Sequence, residues 1–109
     1  MSDTETLLAR DVSRDQLLAE LRALRGAFES EGVAHMMLFG SRARGDNRAD
    51  SDVDLMIEVE PDRRFSLLDL IGIKHIVEDE IGIPADMFMQ RSLSADLRKR
   101  ADRDRVEVF

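Results

Sequence analysis

The segment Phe39-Gly40-Ser41-Arg42-Ala43-Arg44-Gly45, followed five residues later by Ser51-Asp52-Val53-Asp54-Leu55-Met56-Ile57-Glu58-Val59, decides how this chain folds. From Asp52 to Val59 the residues alternate. Val53, Leu55, Ile57 and Val59 point one way and Asp52, Asp54, Met56 and Glu58 the other, which is the period of a strand with one face in a core and one carrying acids. Just upstream, Ala34 to Phe39 is apolar but too short for a helix between Gly32 and Gly40, and it reads as a buried strand. Gly40 then marks a strand-to-helix turn, where the lack of a Cβ permits close backbone approach.

Outward from this pair the chain alternates helix and strand. Ser13 with Gln16 reads as a capping box, and Leu17, Leu18, Leu21, Leu24 and Phe28 recur at helical spacing, predicting a helix over 14–31 that ends at Gly32. Pro61 and Asp62 break the acidic strand. Ser66 with Asp69 opens a second long helix to about Glu80, closed by Gly82. Ile83 to Met89 reads as another strand. A last helix over about 93–104, following Ser92 or Ser94, holds Leu93, Leu97 and Ala101 on one face. The tail Val106-Glu107-Val108-Phe109 is expected as a short strand or extended segment. The order argues an α/β fold with helices covering the sheet.

Length and composition bound the reading. The chain has 109 residues, no internal repeat and no Pro/Gly/Ser linker, so a single domain over 1–109 is expected. Sixteen basic and 23 acidic side chains leave a formal charge of −7, which argues against autonomous binding of duplex nucleic acid, since such binding comes from neutralising phosphates. The charge is uneven: residues 42–49 carry +2 and residues 50–60 carry −5, so the densest acidic block directly follows an Arg-rich loop. With no cysteine, disulfides, cysteine-based zinc sites and thiol nucleophiles are excluded, which fits a reducing compartment. MSDTETLLAR has no basic stretch leading into an apolar one, and no apolar run approaches the roughly 18 residues of a membrane span. A soluble, cytoplasmic protein with no membrane partner is expected.

Asp52 and Asp54, two apart on one strand face, can share a hard cation; magnesium favours one or two carboxylates completed by phosphate oxygens and water. Gly40 and the Ser41 hydroxyl, at a helix N-terminus, suit phosphate. Arg42 and Arg44 have two readings: contact with phosphate, or pairing with Asp46 or Asp50 to hold the turn. Gly40 and Gly45 have P-loop spacing, but Asp46-Asn47 stand where Lys and Ser/Thr are required, so that motif is rejected. His35 and His75 read as structural, and the six methionines as core or interface filling.

Taken together, Gly40-Ser41-Arg42-Ala43-Arg44-Gly45 and Ser51-Asp52-Val53-Asp54-Leu55 resemble the signature of the polymerase beta-like nucleotidyltransferases. The likeness is greatest to the minimal nucleotidyltransferase family, the small partners of HEPN-domain toxins in prokaryotic toxin–antitoxin pairs. The resemblance implies a small mixed sheet flanked by helices, with Mg2+ and ATP as cofactor and substrate. It also implies a third carboxylate on a later strand. Asp86 is the candidate, because it lies in the apolar strand Ile83 to Met89; Glu78 and Asp79 fit less well, since both fall at a helix end and are explained as solvated. By the same resemblance Asp52, Asp54 and Asp86 are catalytic and metal-binding, while Gly40, Ser41, Arg42 and Arg44 face the nucleotide phosphates.

The implied activity is magnesium-dependent transfer of a nucleoside monophosphate, AMP from ATP, to a hydroxyl of a HEPN-type toxin, which the chain would thereby neutralise. Two alternatives stand beside it: a non-catalytic subunit that blocks its partner by occlusion, and a free-standing transferase acting on small molecules or RNA ends. Leu67, Leu68, Leu70, Ile71, Ile73, Ile76 and Val77 spread around more than half of the second long helix. A helix apolar on several faces is expected to be buried on several faces, by the sheet on one and on another by a partner, by a second copy or by the monomer's own two-sided packing.

Overall fold

The computed structural model describes residues 10–109; residues 1–9 of the amino-terminal stretch read above for a leader lie outside them. Its first helix, α1 (Arg14–Ala23), starts on Ser13, whose Oγ accepts the Gln16 amide at 3.1 Å. The expected capping box is only half made, because the Gln16 side chain donates to Glu20 instead. The helix predicted over 14–31 is in fact two. At Leu24 (φ −94°, ψ 5°) the chain tightens, Leu24 N donating to Leu21 O, and α2 (Arg25–Ser30) follows as a separate helix. Gly26 lowers the helix propensity of this second segment, and Phe28 within it is completely buried.

Four strands follow: β1 (Val33–Phe39), β2 (Val53–Val59), β3 (Ala85–Met89) and β4 (Val106–Glu107). They form one mixed sheet in the order β3-β2-β1-β4, antiparallel at β1/β2 and β1/β4 and parallel at β2/β3. Between β1 and β2 lies a single helical turn, α3 (Ser41–Arg44). The parallel crossover from β2 to β3 runs through α4 (Leu67–Ile81), which has the full Ser66/Asp69 capping box and stops at Gly82 in the left-handed region (φ 79°). After β3 a 3-10 turn (Gln90–Ser92) leads to α5 (Ala95–Asp104), capped by Ser94. No described helix is long and apolar enough to cross a membrane.

Both faces of the sheet are covered, which corrects the one-sided strand expected from the alternation. On the first face Val53, Leu55 and Ile57 pack with Leu17 and Leu21 of α1 and with Ile73 and Val77 of α4. On the second, Met56 is as buried as its neighbours on the strand and joins Met37, Phe39, Phe88 and Leu97 under Ala101 of α5. Each such buried side chain contributes about 1.5–3 kcal/mol of apolar burial. The tail is pinned across β1: Phe109 stacks on Phe28 at 6.3 Å, and Arg22 donates to the carbonyls of Val108 and Glu107. The apolar spread of α4 divides in two. Ile73, Val77 and Ile81 are buried, whereas Leu67 and Leu68 in the first turn are 70% and 78% exposed.

Candidate active site

The acidic motif sits where three elements end together. Asp54, the second residue of β2, pairs with Phe39 at the end of β1 on one side and with Asp86 of β3 on the other. Asp52 precedes the strand by one residue and is exposed, and Val53 N donates to Pro84 O at 2.9 Å, which holds the two strand starts side by side. Parallel register therefore brings a carboxylate from 32 residues downstream alongside the pair. Asp86 reaches this place for a reason other than the one anticipated: it is an exposed residue of an edge strand, not an acid enclosed by apolar neighbours.

The electrostatics of the trio are those of uncompensated negative charge. Partial burial, followed by the nearby Asp86 and Asp52, pushes the Asp54 carboxyl up to about 6, with Arg44 acting in the opposite direction. The Asp52 carboxyl is also raised, by desolvation and by Asp86, with which it is close enough to share a proton; Lys74 of α4 opposes this and Glu78 adds to it. Like charges held together resist joint ionisation unless a cation intervenes.

Gly40 has two independent reasons to be glycine. Its φ of 78° lies in the region L side chains avoid, and a Cβ built there would overlap Asp54 Oδ2. The turn that begins α3 is thus pressed against the acid itself, with half-buried Ser41 at the next position.

The two arginines of the loop separate. Arg44 remains half exposed, donating to Asp46 at 3.0 Å and to Asp104 of α5 at 2.8 Å, at the mouth of the acidic cluster. Arg42 is 1% exposed and turned away from solvent. It pairs with neither Asp46 nor Asp50, the partners considered for it, but donates to the carbonyls of Ser51, Ala49 and Arg10. Desolvation lowers its pKa from the usual arginine value. Glu78 was passed over as a solvated helix-end acid, yet its Oε2 accepts the Ala85 amide at 3.0 Å and fixes the start of β3 next to Asp86. Nothing in the local sequence signals that bond, which spans a helix end and a turn.

Whether the site suits a divalent cation can be tested on its donors. All are carboxylate oxygens, the ligands of a hard ion, and positive charge would relieve the raised pKa values of Asp52 and Asp54. Among the described residues no three His, Cys, Asp or Glu side chains close into a cage around a metal ion. An open acid pair beside a backbone turn fits magnesium, which leaves coordination positions to water and to phosphate oxygens.

Comparison with known proteins shows what the chain as a whole is similar to. The family described as "Nucleotidyltransferase domain" matches residues 21–108. The protein adenylyltransferase MntA of Thermococcus cleftensis is 35% identical over 92 residues, covering 84% of this chain and 88% of the relative. A solved structure described as a minimal nucleotidyltransferase superposes with a TM-score of 0.73 at 32% identity, covering 87% of this chain and 95% of that one. At the level of fold alone, the structure of a tri-AMPylated Shewanella oneidensis HEPN toxin in complex with MNT antitoxin matches with a TM-score of 0.64 at 12% identity, over 85% of this chain and 71% of that one.

Proposed function

Because this chain belongs to the nucleotidyltransferase domain family and is a nucleotidyltransferase, we propose that it transfers AMP from magnesium-bound ATP to a hydroxyl of a HEPN-type toxin and so acts as its antitoxin in the cytoplasm. The observation that carries the reading is the meeting of Asp52, Asp54 and Asp86 at the end of the sheet, with the Gly40 backbone pressed onto Asp54. AMP as the group transferred is supported by the name of the MntA relative, and the HEPN partner by the complex named above.

Asp52 and Asp54 would hold the divalent ion that accompanies the triphosphate, and Asp86 would complete a second position. When bound, such ions stabilise the attacking and leaving oxygens of an in-line displacement at phosphorus. The backbone at Gly40 and the Ser41 hydroxyl orient the β- and γ-phosphates, and Arg44 at the mouth adds positive charge to them. Asp86, exposed on the edge strand beside Asp54, accepts the proton of the incoming hydroxyl. The hydroxyl oxygen bonds to the α-phosphorus, the bond from that phosphorus to the bridging oxygen breaks, and pyrophosphate leaves with the electron pair.

The test is to co-express the chain with a HEPN-domain partner and supply α-labelled ATP. Label is expected on the partner with wild type and not with Asp52→Ala or Asp54→Ala. Equal labelling by these variants refutes the reading, while variants that still neutralise the toxin without transferring label identify blockade by occlusion.

A further inference from the structure

Arg42 is a fully buried guanidinium with no hydrogen-bonded carboxylate. Its Nε donates to Ser51 O at 2.9 Å, its Nη2 to Arg10 O at 3.1 Å and Ala49 O at 3.3 Å, and its Nη1 has no hydrogen-bond partner among the described residues. Burying such a group carries a desolvation penalty. Three bonds to neutral carbonyls are weak compensation compared with a bidentate carboxylate. What the arrangement supplies is geometry. Arg42 stands two residues after Gly40, on the turn that presses against Asp54, and it grips the carbonyl immediately before Asp52. The same side chain reaches Arg10, whose own amide donates to Ala49 O at 2.9 Å and whose guanidinium donates to Ile81 O at 2.7 Å, at the end of α4.

We propose that Arg42 is a positioning residue: a buried latch that fixes the 46–52 loop, and with it the Asp52 carboxylate, relative to the Gly40-Ser41 turn, so that the acid pair and the phosphate turn are set at one distance before any ligand arrives. The proposal rests on the nucleotidyltransferase reading for its consequence but not for its geometry. Asp52 lies before the first ladder residue of β2 and is exposed, so the strand alone leaves it one residue short of a fixed position. The planar fork of arginine is suited to this task, since it presents several donors at fixed angles; a lysine ammonium offers a single flexible point.

The test compares wild type, Arg42→Lys and Arg42→Met, each co-expressed with the partner. Amide hydrogen exchange is measured in the isolated chain, together with the Mg2+ concentration that half-saturates transfer. In Arg42→Lys, amides of residues 49–53 are expected to exchange at least about 10-fold faster with α1 and α4 unchanged, and the half-saturating Mg2+ concentration to rise at least about 5-fold; a loss of active fraction alone leaves that concentration where it was. Arg42→Met, which fills the space without donors, is expected to open the loop further. Uniformly faster exchange across the sheet, unchanged exchange in the loop, or an unchanged Mg2+ requirement would each overturn the proposal. If wild type transfers nothing, the functional reading falls, and the exchange pattern alone still upholds or overturns the latch.

Discussion

The second face of the sheet carries acids at both ends, and the two ends behave differently. At one end Asp52, Asp54 and Asp86 crowd together, with carboxyls raised above their ordinary range for the first two. At the other, Glu58 and Glu107 line a cleft of about 450 Å³ with His35, Met37 and Arg105. That second end offers ample open space. By chemistry it is the weaker one: Arg105 brings positive charge to its acids and donates to the Met37 sulfur, and no glycine turn closes on them. A cavity records where side chains leave space, whereas a site for a hard cation records where backbone geometry holds like charges together against their repulsion.

The sharpest way to break this contrast is to remove the acids. Asp52→Ala and Asp54→Ala are each expected to lower transfer at least about 100-fold, because several kcal/mol of transition-state charge stabilisation is lost. Retention of near-normal rates in a label-transfer assay would erase the difference between the two ends. Gly40→Ala follows in size. Forcing a Cβ onto Asp54 at positive φ should cost roughly 1–3 kcal/mol in a denaturant titration and, by displacing Asp54, cut transfer about 10- to 100-fold.

A third test works through pH. Because the folded Asp54 carboxyl titrates near 6, well above its ordinary 3.8, ionising it opposes folding. The penalty is complete above the folded value, shrinks as pH falls from about 6 towards 3.8, and is absent below. Asp54→Asn should therefore stabilise the metal-free protein by about 1–3 kcal/mol near pH 7 and by almost nothing at pH 3, as read from denaturant midpoints across that range. At Mg2+ well below saturation, transfer by wild type should decline as pH falls through about 6, because protons then compete with the cation for Asp54, and raising Mg2+ should move the decline to lower pH. Smallest of all, Glu58→Gln and His35→Gln at the opposite end should change stability by less than about 0.5 kcal/mol and transfer by less than about 2-fold. A larger loss there would make the cleft part of the site.

The parts of the molecule that were legible in sequence share a cause. Ser66 with Asp69, the Gly82 stop, the Ser94 cap and the Asp52-x-Asp54 pair are local: the interacting groups lie within a few residues, so spacing alone specifies them. Gly40 was legible as a turn, although not as the residue that leaves room for Asp54. The break at Leu24 was not, because the heptad-like spacing through Phe28 is satisfied by one helix or by two, and packing chose between them. Met56 was assigned to the acidic face by its period and belongs there, but period carries no information on what covers a face, and α5 covers this one. The partners of Arg42 and Glu78 are not legible in sequence because they are backbone atoms, Ser51 O and Ala85 N among them, which no side-chain pattern encodes.

The sequence by itself determined that a glycine turn and two same-face carboxylates stand in succession, with the signature they compose. It could do so because strand periodicity and turn chemistry act over a few residues. Only the tertiary structure decided that Asp86 stands beside Asp54, that the Gly40 turn touches the acid, and that Arg42 faces inward. Each of those depends on parallel register across a crossover helix and on the desolvation of groups far apart in the chain, and such long-range terms are settled when the sheet assembles.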